Sequence, residues 1–426
     1  MKPVGDEMMT LIARLYPICR SITGAGVRET LEIIREQIPI DLHEVPSGTK
    51  VLDWTVPKEW NIRDAWIKNS AGKRLVDFRK LNLHVVSYSV PIRRTMRLAE
   101  LREHLFTLPA QPDQVPYRTS YYKEDWGFCL SESQLAQFRD DEEYDVWIDS
   151  SLENGRLTFG ELLIKGEEPG EVLISCHVCH PSLADDNLSG LAVATELARG
   201  LSGSSHRYSY RFLFVPGTIG AITWLGLNEA ATRNVRHGFV LTCVGDSAHL
   251  TYKRSRQGTA EIDRAFAHVL SHSGKPSEVI DFSPYGYDER QYCSPGFDLP
   301  VGCLMRSRHG EFPEYHTSAD NLQFVRAEAL ADSLATCRSV IDLLESNRTF
   351  LSKNPKGEPQ LGRRGVYPSA SGDGSNPHRS MALLWILNLS DGRHSLLDIA
   401  ERAKLPFSAI KEAVDVLAAT DLLEPC

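Results

Sequence analysis

The sequence predicts an α/β protein in which a mostly parallel or mixed sheet is flanked by helices, with a small β-rich insert and a C-terminal winged helix. A chain of 426 residues exceeds the roughly 250 to 300 residues at which a single core stops growing, so more than one folding unit is expected. After residue 145, short apolar runs alternate with helical patterns, which is typical of βα units. Three helical patterns with tight turns occupy the end of the chain, as in a winged helix.

The N-terminal part predicts two helices followed by the β-rich insert. Residues 5–39 carry apolar side chains at helical spacing, interrupted at 21–26 by a polar turn. From about Val51 to Tyr117 the chain is rich in Trp, Val and Pro and contains short alternating stretches such as "LNLHVVSYSVPIRR". We therefore assign the ranges as follows: 1–50 plus 119–350 to the α/β core, 51–118 to the insert, and 365–426 to the winged helix.

The core prediction depends on buried strands that lead into helices. "EVLISCHV" is an almost continuous apolar run, and "NLSGLAVATELARGL" follows it with helical periodicity. The pattern recurs in "YRFLFVPG" and "TIGAITWLGLNEAATR", and the strands "HGFVLTCVG" and "LPVGCLM" come later. "AEALADSLATCRSVIDLLES" predicts a closing helix, and "GVYPSASGDGSNPHR" predicts a linker or surface loop.

The C-terminal module is more acidic than a DNA-binding module is expected to be. From Arg379 to Cys426 there are five Lys or Arg residues against seven acids, and the second helix, "FSAIKEAVDVL", has more acid than base. DNA recognition requires a basic surface. We therefore expect this module to serve protein docking or dimerisation.

Composition favours a protein of the cytoplasm without a nucleic-acid or membrane partner. The 47 basic and 56 acidic side chains give a net charge of −9, which disfavours binding to a nucleic-acid backbone or an anionic membrane. The sequence has no run of about 18 apolar residues, and its first twenty residues show no signal-peptide pattern. The nine cysteines are scattered, so most are expected to be reduced and buried.

The stretch "ISCHVCHPSLADDNLSG", from Ile174 to Gly190, concentrates groups that bind metal ions. His177 and His180 come at the end of a predicted parallel strand, and Asp186 follows before the next helix. Side chains at the carboxyl ends of parallel strands face the crevice where α/β proteins bind ligands. Imidazole and carboxylate together suit zinc or a similar divalent ion. The alternative is that a lone histidine is a satisfied core residue and that the aspartates only cap the helix.

Two later loops strengthen the metal hypothesis. His316 in "EYHTSADN" follows a later strand, and Asp246 in "TCVGDS" ends the strand between them. Three strand-end loops thus each offer a ligand. Such a dispersed set of histidines and aspartates can converge on one zinc ion or on a closely spaced pair.

Four stretches in this order resemble the zinc aminopeptidase-like domains related to the M28 metallopeptidases: "HVCHPSLADDNLSG", "FLFVPGTIGAITWL", "VLTCVGD" and "EYHTSADNL". More narrowly, the chain resembles the DUF4910 group over essentially its full length. Its opening "LYPICRSITGAGVRETL" is similar to that group's N-terminal signature, its insert to the DUF2172 insert, and its tail to the winged-helix module. The resemblance implies a zinc-peptidase or phosphorylase-like core.

The resemblance also implies roles for individual residues. Asp186 matches the bridging aspartate of the metallopeptidases, His316 the late histidine ligand, and Asp246 the strand-end carboxylate. The first histidine has two candidates. His177 fits the H-x-D position, although a cysteine replaces the acid of that pattern, whereas His180 fits the "CHPS" hallmark of the narrower group. We favour His180 and keep His177 as its rival or as a residue that supports the ligands.

The chain departs from the metallopeptidase pattern after the next strand. A glutamate there acts as general base in these enzymes, and the narrower group usually shows "PETIG" where this chain has Gly217 and Thr218. Removing a general base typically costs about a hundredfold to ten-thousandfold in rate. Three explanations stay open. The chain is a non-catalytic metal- or ligand-binding relative, a carboxylate such as Glu311 or Glu314 replaces the base, or a glutamate has been lost by substitution. As an alternative, both acids are ordinary solvated loop residues.

Two lighter hypotheses concern other polar residues. Asp288 and Arg290 in "YDERQYCSPGF" lie where aminopeptidases of similar layout recognise substrate termini, and an arginine there can clamp an anionic group. A surface salt bridge is the alternative. The "CRSITG" turn resembles a hallmark of the group, and a helix cap by Ser21 or Thr23 explains its polar residues equally well.

The leading hypothesis is a cytoplasmic zinc-dependent aminopeptidase-like hydrolase that acts on a peptide or on a small amide-bearing substrate. The alternative is a catalytically impaired metal-binding relative that acts as a binding or scaffold protein, with the tail contacting a protein partner or a second copy. A metal-dependent transcription regulator is disfavoured by the acidic tail. The resembled group is associated with bacterial polysaccharide biosynthesis, which implies a glycan precursor or an amide-bearing sugar as substrate.

Overall fold

The computed structural model describes residues 3–366 and 377–426. Its helices are α1 Val4–Leu15, α2 Ala25–Arg35, α3 Leu98–Leu101, α4 Glu132–Leu135, α5 Gly190–Leu201, α6 Ile219–Leu227, α7 Glu229–Thr232, α8 Glu261–Ser271, α9 Glu289–Tyr292, α10 Ala327–Ser346, α11 Pro377–Leu389, α12 Leu396–Ala403 and α13 Phe407–Ala419. None of the helices in this part of the chain has both the length and the apolar character needed to cross a bilayer.

The strands contribute to several sheets. They are β1 Asp41–Pro46, β2 Lys50–Val51, β3 Trp54–Thr55, β4 Glu59–Lys68, β5 Arg74–Asp77, β6 Ile92–Arg97, β7 Leu105–Phe106, β8 Phe128–Cys129, β9 Glu143–Glu153, β10 Arg156–Ile164, β11 Glu171–His177, β12 Ser209–Val215, β13 Val235–Leu241, β14 Leu250–Lys253, β15 Ser277–Ile280, β16 Val301–Met305, β17 Thr349–Ser352, β18 Asp391–Ser395 and β19 Leu423–Pro425.

The central sheet has eight strands in the order β1–β10–β12–β11–β13–β16–β14–β15. Its inner strands β12, β11, β13 and β16 run parallel to one another, whereas β1, β10 and β14 pair antiparallel with their neighbours. Every residue of β11 is buried, as expected for a strand covered on both faces. The predicted α/β class with a mixed sheet is thereby confirmed.

The predicted core elements form close to their expected places. The four apolar runs become β11, β12, β13 and β16, and the two N-terminal helices form on either side of the polar turn. The helix expected after β12 is divided into α6 and α7. Asn228 separates them because its φ of −123° and ψ of 29° leave the helical range.

A second, antiparallel sheet has the order β5–β4–β9–β6. Tyr144, Val146 and Ile148 alternate along β9 and are buried in one apolar cluster with Ala65 and Ile67 of β4, which is the period-two pattern of a sheet with one buried face. Because β9 follows residue 118, this sheet extends beyond the predicted insert of 51–118. The insert as an independent domain stays a prediction.

The chain divides into two compact units, Met1–Ala260 with Glu278–Leu334, and Glu261–Ser277 with Ala335–Cys426. The second unit contains α11, α12 and α13 and the antiparallel sheet β18–β17–β19. It also contains α8, where Arg264 donates to Asp398 and Glu401 of α12, each at 2.6 Å.

The winged helix begins earlier than predicted. β17 starts at Thr349 and pairs with both other strands of its sheet, so this fold starts before residue 365. The linker expected at 365–379 falls mostly on 367–376, which lie outside the described residues.

Asp320 anchors the loop between β11 and α5. Its Oδ1 accepts the backbone N–H of Asp185 at 2.6 Å, and its Oδ2 accepts that of Asp186 at 2.9 Å. All three residues are buried. The carboxylate therefore satisfies two adjacent peptide groups and fixes the backbone from which the Asp186 side chain leaves.

Asp288 anchors the loop after β12. Its Oδ1 accepts the backbone N–H of Thr218 at 2.7 Å, while Oδ2 has no hydrogen-bond partner in the described part of the chain. Thr218 has a φ of 62°, an uncommon conformation for a β-branched residue, so this hydrogen bond holds a strained loop. Burial raises the pKa of Asp288 to about 7.

Arg20 anchors the loop that carries His180. Its guanidinium is buried, with Nε donating to the backbone carbonyl of His180 at 2.9 Å and Nη1 to that of Leu15 at 2.6 Å. A buried cation therefore ties the end of α1 to the loop after β11.

The helix caps expected from Ser21 and Thr23 are wrong. The residue before α2 is Gly24, which has no side chain, and the N–H of Ala25 donates instead to Asn61 Oδ1 at 2.7 Å. Ser21 Oγ instead lies 2.8 Å from Ser87 Oγ, and Thr23 Oγ1 lies 2.6 Å from the Tyr88 hydroxyl. Long-range polar contacts have taken the place of the local cap.

We expect Asp320→Ala to lower the free energy of unfolding by about 2 to 5 kcal/mol, because two buried N–H groups each lose their acceptor. Asp320→Asn keeps one carbonyl oxygen and should lose less. Urea unfolding followed by tryptophan fluorescence measures both variants. An alanine variant as stable as the wild type would contradict the anchoring role.

Asp288→Asn should flatten the pH dependence of stability. Since burial raises the folded-state pKa of Asp288 to about 7, above its unfolded value, proton uptake stabilises the folded chain at low pH, and this contribution fades as the pH rises through 7. The asparagine variant should therefore show a smaller fall in thermal midpoint between about pH 5 and pH 8. Asp53→Asn, at an exposed position, is the control, and equal slopes in wild type and Asp288→Asn would refute the assignment.

Candidate metal centre

Three side chains converge where β11 ends. His177 is the last residue of that strand, and His180 and Asp186 follow in the loop before α5. His177 Nε2 lies 2.8 Å from Asp186 Oδ1 and 3.0 Å from His180 Nδ1, and His180 Nδ1 lies 3.6 Å from Asp186 Oδ1. All three residues are buried. Both candidate histidines therefore reach the aspartate.

The spacing of these three atoms fits a zinc ion. Tetrahedral ligands about 2.0 to 2.1 Å from zinc are about 3.3 Å apart, and the observed separations of 2.8, 3.0 and 3.6 Å lie on both sides of that value. Three protein ligands and one open position are the ligand count of a catalytic zinc site. The donor set thus matches the ion in type, number and spacing.

His316 approaches the same carboxylate from the loop after β16. Its Nε2 lies 3.0 Å from Asp186 Oδ2, and its side chain is 32% exposed. Asp186 therefore directs Oδ1 towards His177 and His180 and Oδ2 towards His316. A carboxylate shared in this way is suited to a pair of ions as well as to a single one.

The protonation state of the cluster favours metal binding. Burial lowers the pKa of His177 and lowers that of His180 well below its ordinary value. Burial alone would raise the pKa of Asp186, but the neighbouring His180, His177 and His316 outweigh it and hold that pKa well below the usual range. Metal ions require neutral imidazole and ionised carboxylate, which is the state that these shifts favour at neutral pH.

Asp246 does not join these residues, contrary to the prediction. Its Oδ1 accepts the N–H of Ala248 at 2.6 Å, and its Oδ2 accepts the N–H of Ser307 at 3.0 Å. The group of potential ligands in the described residues contains only His177, His180 and Asp186. Asp246 lies beyond the last residue of β13, in a turn where backbone donors engage both of its oxygens.

Gly217, at the expected position of the general base, lies against Tyr287. A Cβ atom on Gly217 would overlap the Tyr287 hydroxyl and lie 2.5 Å from the ring carbon that bears it. The hydroxyl is 3.2 Å from Cys179 Sγ, to which the Gly217 N–H also donates at 3.3 Å. An aromatic side chain from another loop therefore fills the space of the missing carboxylate. Because burial raises the pKa of Tyr287 well above its ordinary value, the phenol stays protonated at neutral pH.

The other predicted site residues lie outside the buried cluster. Glu311 has a side chain 64% exposed and lies 3.7 Å from Arg308, so it faces solvent. Asp288 holds the Thr218 loop, and Arg290, partly buried in α9, only partly offsets the rise that burial causes in the pKa of Asp288. The catalytic role of Glu311 and the substrate-binding roles of Asp288 and Arg290 stay predictions.

Tyr117 contacts the candidate ligands, although sequence reasoning missed it. Its ring centroid lies 5.1 Å from those of both His180 and His316, and its N–H donates to the His316 carbonyl at 2.7 Å. Its hydroxyl lies 2.5 Å from that of Tyr121. The only local signal is a pair of tyrosines four positions apart, which is too common a pattern to indicate a site.

Profiles of known families match almost the whole chain. The domain of unknown function DUF4910 matches residues 9–347, and a winged helix-turn-helix profile matches residues 348–425. A Clostridium acetobutylicum protein named "Putative polysaccharide biosynthesis protein with aminopeptidase-like domain" is 53% identical over 420 residues, which cover 99% of this chain and 96% of that protein.

Several solved structures resemble this chain in fold, and one of them is also similar in sequence. A crystal structure from Clostridium acetobutylicum has a TM-score of 0.94 at 52% identity, covering 99% of this chain and 96% of its own. The zinc aminopeptidase of Bacillus subtilis has a TM-score of 0.58 at 13% identity, covering 79% and 94%. An aminopeptidase from Aneurinibacillus sp. strain AM-1 has a TM-score of 0.51 at 14% identity, covering 80% and 93%.

The two distant likenesses show the fold alone, which this chain shares with aminopeptidases. The relation of the insert to DUF2172 stays a prediction. The profile over 9–347 and the relative of 53% identity establish the family, and the chain is a member of DUF4910 with an aminopeptidase-like core and a C-terminal winged helix.

Proposed function

We propose that this protein is a zinc-dependent hydrolase that cleaves an amide bond. The observation that carries the proposal is the buried group of His177, His180 and Asp186, whose ligand atoms lie 2.8 to 3.6 Å apart at the carboxyl end of a parallel strand. That edge of an α/β sheet is where substrates bind. A zinc ion there would supply a Lewis acid that polarises an amide carbonyl.

The protein's own residues would bind and orient the reactants. His177, His180 and Asp186 would hold the ion, while His316 contacts the second oxygen of the shared carboxylate and, together with it, would offer ligands to a second ion. Tyr117 packs against the rings of His180 and His316 and restricts their rotation. Arg290 would bind an anionic group of the substrate, a role suited to its planar guanidinium.

The substrate class follows from the relative in Clostridium acetobutylicum. That protein is named for polysaccharide biosynthesis and for an aminopeptidase-like domain, and it matches 99% of this chain. A small amide-bearing sugar or another glycan precursor would meet both parts of the name. We propose such a molecule rather than a long polypeptide as the substrate.

A second candidate is a metal-containing binding protein without catalysis. Gly217 favours it, since Tyr287 fills the place of the general base and Glu311 faces solvent. The acidic winged helix would then contact a protein partner or a second copy of the chain. For both candidate functions we propose that the protein is cytoplasmic.

Purified protein should contain about one zinc ion per chain, the number that three ligands and one open position imply. His177→Ala and Asp186→Asn should each lower the zinc content at least tenfold after dialysis against a weak chelator. His249→Ala, at a side chain 50% exposed, is the control. Inductively coupled plasma mass spectrometry measures the metal, and a metal-free wild type would contradict both candidates.

Turnover of aminoacyl and amido-sugar chromogenic substrates separates the two candidates. As a hydrolase, the wild type should release product, and Asp186→Asn should lower kcat/KM by about a hundredfold or more. If the wild type binds zinc but turns over substrate no faster than Asp186→Asn, the result would instead favour the binding protein.

Gly217→Glu alone is a poor test of a lost base, because the new side chain would collide with Tyr287. The double variant Gly217→Glu/Tyr287→Ala provides the space, and it is assayed with saturating zinc because Tyr287 also stacks on His177. Activity confined to the double variant would identify Gly217 as the disabling position.

A further inference from the structure

The imidazole of His177 lacks the polar support that metal-binding histidines usually have. Such a histidine almost always donates its other ring N–H to a carboxylate, a carbonyl or water, which fixes the orientation of the ring. The His177 side chain is fully buried, and its Nδ1 has no hydrogen-bond partner among the described residues. Something other than a hydrogen bond must therefore orient this ring.

Tyr287 lies where it can do so. Its ring stacks on that of His177 with centroids 3.6 Å apart and planes inclined by 24°. The ring of His309 is also nearly parallel to that of Tyr287, but at the longer centroid distance of 6.0 Å. Close stacking restricts the tilt of both rings and leaves Nε2 of His177 directed at Asp186.

Tyr287 is itself held by two polar contacts. Its backbone N–H donates to Glu289 Oε2 at 3.0 Å, and Glu289 forms a fully buried ion pair with Lys253. Its hydroxyl lies 3.2 Å from Cys179 Sγ. Gly217 leaves the hydroxyl the space it occupies, because any Cβ there would overlap it. The ring is therefore fixed before a metal ion binds.

We propose that Tyr287 is the positioning residue of the metal centre, that its stacked ring takes the place of the usual hydrogen bond to His177, and that Gly217 is required to admit it. The glycine at the base position is then a requirement of this arrangement. The inference rests on the metal centre of the proposed function and does not depend on catalysis.

Cobalt(II) binding to the full-length chain tests the proposal, since cobalt replaces zinc and reports its ligands by visible absorption. Chelator competition should show Tyr287→Leu binding cobalt about 10 to 100 times more weakly than the wild type, with an altered spectrum. Tyr287→Phe retains the ring and should bind within about threefold of the wild type. Tyr285→Leu, at a side chain 63% exposed, is the matched control and should bind like the wild type.

Gly217→Ala tests the contact between Gly217 and Tyr287 by changing the glycine instead of the tyrosine. It should displace the Tyr287 ring and weaken cobalt binding about as much as Tyr287→Leu does. The double variant Gly217→Ala/Tyr287→Leu should bind no more weakly than Tyr287→Leu alone, because both changes remove one interaction. If Tyr287→Leu does not fold, Tyr287→Met replaces it, since methionine fills the volume without a ring face.

Wild-type affinity and spectrum in Tyr287→Leu or Tyr287→Met would overturn the proposal while leaving the proposed function intact. Equal losses in Tyr287→Phe and Tyr287→Leu would also overturn it, because the hydroxyl and not the stacked ring would then be responsible. A wild type that binds neither zinc nor cobalt would overturn the inference together with the proposed function.

Discussion

The candidate metal centre depends on one buried carboxylate whose two oxygens face different histidines. Asp186 presents Oδ1 to His177 and His180 and Oδ2 to His316. An ionised group without solvent is costly unless charges or donors compensate for it, so the aspartate constrains every loop around it. The surrounding loops must bring their imidazoles to within about 3 Å of one side chain, which only a rigid support allows.

The central sheet provides that support. β11 and β16 are parallel strands of one sheet, so the loops that follow them open at the same edge. Anchors from distant parts of the chain then fix the backbone of these loops. Arg20 holds the carbonyl of His180, and Asp320 holds the amides of Asp185 and Asp186. Side chains that do not bind the metal thus fix the backbone that carries the ligands, as is common in metal sites.

The sequence could predict candidate residues wherever they follow a regular element. His177, His180, Asp186 and His316 each follow an apolar run that predicts a strand, and the structure places their side chains close together. Their role as metal ligands stays a proposal. Asp246 satisfied the same rule and still failed, because its oxygens are engaged by backbone donors of a turn that no side-chain pattern encodes. Local rules also assigned Ser21 and Thr23 to a helix cap, whereas the fold uses both in contacts more than sixty positions away. Tyr287 could not be found from sequence at all, since its role depends on contacts with Gly217 and His177 that only the folded chain creates.

The path of the chain through α8 determines what a loss of the C-terminal module would do to the rest of the protein. The chain leaves the first unit after residue 260, contributes residues 261–277 to the second, and returns before the loop that carries His316. Ile262, Ala265 and Phe266 of α8 are buried. A gene shortened at the start of the winged helix would still encode α8, but Arg264 would lose its partners Asp398 and Glu401. The second unit is thus built from two separate stretches of the chain, so a deletion confined to the C-terminal stretch also removes partners of a helix encoded in the middle of the gene.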